Sequence, residues 1–170
     1  MTVVYTANLA PEAQGATGSG STTITLDTVA NTLRVEATWS GLSGGTTVMH
    51  LHCCTASPGT GTANVATTVP SFPNFPTGVM AGSYDMTFDL GADGTYNPAF
   101  ITANGGTAAG AAAALIAGLD AGTEYLNVHS ETFQGGEIRG FPVVPEPATG
   151  TLLLVALAAL GTGRRRARAA

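Results

Sequence analysis

Three histidines and two adjacent cysteines are the residues of this chain best suited to chemistry. Four of the five lie in one segment, His50-Leu51-His52-Cys53-Cys54, and the fifth, His129, closes Tyr125-Leu126-Asn127-Val128-His129. Alternate side chains of a β-strand share a face, so His50 and His52 point one way while Met49 and Leu51 point the other. By the same parity Leu126 and Val128 take the core face and His129 the opposite one. If the two strands are neighbours, three imidazoles converge on one side of a sheet. Such a set suits copper or zinc, with Cys53 and Cys54 as soft ligands on the adjoining turn. A competing reading makes the same histidines a hydrogen-bonding network that pins strands together, with Asn127 or Glu137 as partners. A bridge between neighbouring cysteines closes a small ring, so the pair does not read as an ordinary stabilising disulfide. A metal-binding pair, a redox-active bridge and two separately buried thiols all stay open.

These residues need a sheet to hold them, and the patterning supplies one. Leu33, Val35, Ala37 and Trp39 alternate with Thr32, Arg34, Glu36 and Thr38, and Tyr84, Met86, Phe88 and Leu90 alternate with Asp85, Thr87 and Asp89. Both are the period-2 pattern of half-buried strands. Further strands are expected at residues 3–7, 21–27, 46–52, 124–129 and 137–141, separated by glycine-rich turns. Six or seven short strands with one apolar face imply an all-β, two-sheet β-sandwich. Residues 107–119 predict one short alanine-rich helix. The proline-rich stretch 65–80 predicts a long loop whose Phe72 and Phe75 pack down over a sheet edge.

Charge narrows the function. The chain has no lysine, and outside a C-terminal cluster only Arg34 and Arg139 are basic, against eleven carboxylates in the whole sequence. An acidic surface repels phosphate backbones, which excludes nucleic acid as a partner. Asp85, Asp89 and Asp93 match no calcium-loop spacing. No nucleophile–base pair, phosphate loop or cofactor fingerprint is present, and the body reads as non-enzymatic. Glu137 and Arg139 flank Ile138 on one strand face, so an ion pair with each other or with Glu131 is the default.

The C-terminus is an address. Pro145-Glu146-Pro147 is followed by an uncharged apolar run over residues 148–163 and then by Arg164, Arg165, Arg166 and Arg168. At about 1.5 Å per residue the run spans roughly 24 Å as a helix, enough for a short transmembrane helix with local thinning. The arginines hold its end in the cytoplasm, so the body lies across the membrane. Motif, apolar helix and arginine cluster in this order resemble the PEP-CTERM sorting signal. That resemblance implies an exosortase-type processing enzyme, a transient inner-membrane intermediate, and delivery to the surface or extracellular matrix of a Gram-negative bacterium. Residues 1–5 show no signal peptide, so one is expected in frame upstream of Met1.

A second resemblance covers nearly all of residues 3–142. His50-Leu51-His52, Tyr125-Leu126-Asn127-Val128-His129 and Gly135-Gly136-Glu137-Ile138-Arg139-Gly140 together resemble the CHRD domain, named from chordin. Leu51 stands where isoleucine is more usual, a harmless exchange in a buried slot. The resemblance implies a secreted β-sandwich module without an established catalytic activity, with Asn127, Glu137 and Arg139 as structural motif residues. His-x-His is also similar to copper–zinc superoxide dismutases at that spacing only, and no histidine is left over for a second metal. The expectation is a domain at residues 1–142 and a sorting signal at 143–170. Its function is matrix or envelope contact with polysaccharide or surface proteins; the alternative is an extracellular copper- or zinc-binding protein using His50, His52 and His129, with redox activity left open.

Overall fold

The computed structural model describes residues 1–146. Pro147, the apolar run 148–163 and Arg164, Arg165, Arg166 and Arg168 lie outside the described residues, and so does the expected transmembrane helix. Among the described residues no helix is long and apolar enough to cross a membrane.

Seven strands form in the expected places: β1 (Thr2–Pro11), β2 (Ser19–Asp27), β3 (Thr32–Ser40), β4 (Thr46–His52), β5 (Gly82–Asp89), β6 (Tyr125–Ser130) and β7 (Ile138–Gly140). All pairings between them are antiparallel. The two-sheet sandwich, however, is corrected to one continuous curled sheet in the order β4-β6-β7-β1-β2-β3-β5. The reason is the length of β1. It pairs with β2 from Thr2 to Leu9 and then with β7 at Ala10 and Pro11, joining what alternation alone reads as two sheets. Curling brings the apolar face of β4, β6 and β7 (Met49, Leu51, Leu126, Val128, Ile138) into one core with Ile24, Leu33, Val35 and Phe88. Alternation dictates which side chains enter that core; it carries no information about which strands join.

Two helices fill the remaining opening. Helix α2 (Ala108–Asp120) matches the alanine-rich expectation, and its Thr107 N-cap side chain accepts from the Gly110 amide at 3.1 Å. Helix α1 (Pro98–Ala103) was not anticipated; it starts on the Asn97 cap with proline at its first position, a short but orthodox signal. Strand β4 ends the sheet, and its open edge is closed by the proline-rich loop. Ala66 and Phe72 donate to the Leu51 and Met49 carbonyls, and Gly78 donates to that of Thr46. Phe72 packs on Tyr84 and Phe88, and Phe75 on Trp39, with ring centroids 5.0–5.6 Å apart. A covered edge is protected against pairing with a second chain.

A candidate three-histidine metal centre

Strands β4 and β6 are direct neighbours, with His50 opposite Asn127, Leu51 opposite Leu126 and His52 opposite Tyr125. Met49, Leu51, Leu126 and Val128 are fully buried on the core side. The other face therefore carries His50 and His52 beside Tyr125, Asn127 and His129, as strand parity requires. His50 and His52 are buried, and His129 is half-buried. One nitrogen from each of the three rings lies within 4.8 Å of the others.

Each ring is oriented by a backbone carbonyl outside the two strands. His50 Nε2 bonds Pro70 O at 2.6 Å, His52 Nδ1 bonds Ala63 O at 2.9 Å, and His129 Nδ1 bonds Gln134 O at 2.7 Å. A carbonyl only accepts, so those nitrogens carry hydrogens, and in neutral His50 and His52 the opposite nitrogens carry lone pairs. His50 Nδ1 and His52 Nε2 are buried and have no hydrogen-bond partner. His129 Nε2 faces Asn127 Oδ1 at 3.1 Å. Asn127 Oδ1 is likewise an acceptor, so a hydrogen on Nε2, or a cation shared by the two atoms, satisfies this contact. The carbonyls are the kind of outer partner that fixes ring tautomers at metal sites.

Electrostatics keep the lone pairs free. Burial pushes His50 down to about 4, with the neighbouring imidazoles adding to the effect against the bond to Pro70. His52 is likewise lowered, mainly by burial. Both rings are therefore neutral at ordinary pH, the form that could ligate a metal.

Around the rings a polar shell continues across β7 to the end of β1. Asn127 Nδ2 donates to Glu12 Oε1 at 3.3 Å, and Arg139 Nε lies 3.4 Å from Glu12 Oε2. Arg139 also donates to Gly61 O and sits over the Tyr125 ring, 5.1 Å from its centroid. The expected pairing of Arg139 with Glu137 or Glu131 is thus corrected: its partner is Glu12, which chain order does not reveal. Glu137 is buried and accepts from the Ser43 amide at 2.5 Å, tying the last strand to the β3–β4 connection. Gly136, at φ +122°, lets the chain pass against Glu12 and Asn127, where a Cβ would collide with both.

Cys53 and Cys54 are not in the histidine group. They are joined to each other by a disulfide and rest on α2, with both sulfurs 3.8 Å from Ala114 O. Their expected role as soft ligands is corrected on that ground, since the chain leaves β4 after His52 and turns both sulfurs toward the helix. Sequence reading missed Glu12, Tyr125 and the carbonyls of Ala63, Pro70 and Gln134. Backbone groups have no sequence signature, and only the opposition of His52 and Tyr125 at equal strand positions was open to inference.

The fold and face define a β-rich module with a buried imidazole cluster. The CHRD domain profile matches residues 2–141, so the chain belongs to the CHRD domain family. The PEP-CTERM protein-sorting motif matches residues 143–167, which marks the protein for export and association with the cell surface. No curated protein and no solved structure matches the chain.

Proposed function

We propose that this is a non-enzymatic CHRD module, displayed at the cell surface or in the matrix, that binds copper or zinc through His50, His52 and His129. The observation that carries this reading is the pair of buried, partnerless nitrogens, His50 Nδ1 and His52 Nε2. A network built only to pin strands satisfies its buried polar atoms, because each orphan costs about 1–3 kcal/mol. Here one nitrogen per ring pins a loop and the other is left for a ligand. Two imidazoles with free lone pairs and a third beside a carboxamide suit a borderline metal. A bound ion would offset the cost of keeping these groups dry.

Polysaccharide and surface proteins remain the partners of the displayed module, and exosortase-type processing delivers it there. The test is metal analysis of protein purified without a histidine tag and reloaded with copper or zinc. Near-stoichiometric metal that is lost in the His50→Ala, His52→Ala double variant supports the reading. Metal no higher than in that variant defeats it.

A further inference from the structure

A cleft of about 610 Å³ lies away from the histidines, between the segment following β4 and helices α1 and α2. Its floor is the Cys53–Cys54 disulfide, flanked by the Phe100 ring and Ala114. Cys54 is exposed at this floor while Cys53 is buried beneath it. The disulfide can lie this close to α2 because Gly118 has no side chain. A Cβ there would stand 2.6 Å from Cys53 Sγ and 2.8 Å from Cys54 Sγ.

The lining selects by charge and by shape. It contains no ionisable side chain, because the cysteines are bonded and its polar residues are Asn64, Asn97 and Asn104. A charged ligand would lose water there without gaining a counter-charge. The three carboxamides are not equivalent. Asn97 is spent on its own helix cap and on Val65 O, through Oδ1 and Nδ2 respectively. Asn104 uses only Nδ2, donating to Phe100 O at 2.8 Å, so its Oδ1 is free. Asn64 is exposed, and its backbone oxygen accepts from the Cys53 amide, leaving its carboxamide at the mouth. The cleft thus offers an apolar floor with amide donors and acceptors at its rim, the usual make-up of a small-molecule site.

We propose that this cleft binds a neutral pyranose unit of a surface polysaccharide. A sugar ring has one apolar C–H face to lay on the disulfide and Phe100. Its adjacent hydroxyls present the paired donor and acceptor that a carboxamide matches. The choice of a sugar over other neutral rings rests on the surface location in the reading above; the site itself is independent of the metal centre.

Saturation-transfer NMR on the purified full-length protein tests this with methyl glucoside, galactoside and mannoside, against glucuronate and benzyl alcohol. At least one methyl glycoside should receive saturation, with glucuronate at least about tenfold weaker. Ala103→Trp, a solvent-facing substitution at the mouth, should abolish binding with an unchanged circular dichroism spectrum. Asn104→Ala should weaken binding about fivefold. Protein stripped of metal with a chelator should bind sugar as the untreated protein does, so that failure of the metal reading leaves this one standing. No glycoside signal, transfer to benzyl alcohol alone, or glycoside binding unchanged in both cleft variants would overturn the proposal.

Discussion

The imidazole of His52 lies flat on the ring of Tyr125, with centroids 4.7 Å apart and planes 8° from parallel. The two residues are opposite partners on β4 and β6, and Arg139 covers the same aromatic ring. Stack and carbonyl bond together leave His52 one orientation. Tyr125→Ala should therefore weaken zinc or copper binding by about 10-fold or more, the usual size of an outer-partner effect. Tyr125→Phe keeps the stack and should stay near the parent. Competition titration with a chromogenic chelator distinguishes them, and equal affinities in both variants would remove the stack from the argument.

Acid should destabilise the metal-free domain through the histidines. An unfolded His50 takes up its proton near its ordinary value of 6.5, whereas the folded ring resists until about 4. The unfolded state then holds more protons across this window, so stability is complete above it and is lost as pH falls from 6.5 toward 4. Between pH 7 and pH 5 the parent should lose about 2 kcal/mol more than His50→Gln. Urea midpoints at the two pH values measure the difference.

Glu124 has the opposite sign. It is fully buried, neither of its oxygens has a hydrogen-bond partner, and burial raises it well above its ordinary value of 4.5. The folded state keeps a proton that the unfolded state releases, so stability falls as pH rises above 4.5 toward the folded value. Each pH unit inside that window costs about 1.4 kcal/mol. Glu124→Gln should flatten the decline that sets in as pH rises above 4.5, a sign opposite to that of the histidine effect. An identical decline in parent and variant would assign it to another group.

Gly118→Ala offers a test of the disulfide's seat on α2. Alanine improves helix propensity by about 1 kcal/mol. The added methyl meets two sulfurs that are bonded to each other and cannot swing aside. Overpacking of this kind costs about 1–3 kcal/mol, so the variant should melt below the parent. A higher melting temperature would show that the seat yields.

For the sorting signal, replacing Pro145, Glu146 and Pro147 with alanine should leave the unprocessed chain in the inner membrane. Fractionation and immunoblotting of parent and variant show whether the shorter form is lost. Normal processing of the variant would detach sorting from this motif.

Strand parity by itself determined the chemical face of this protein. His50 and His52 share a side because the pleat repeats every two residues, and Met49, Leu51, Leu126 and Val128 bury because they take the other. The order of proline motif, apolar run and arginines likewise determined the destination, since charge and hydropathy act locally along the chain. What only the tertiary structure decided is everything that joins distant segments. The reach of β1 from β2 to β7 made one curled sheet where alternation reads as two. The carbonyls of Ala63, Pro70 and Gln134 chose which imidazole nitrogens remain free, and Glu12 took Arg139 from nearer carboxylates in the sequence. Periodicity is a property of neighbours in the chain; partners are chosen by neighbours in space.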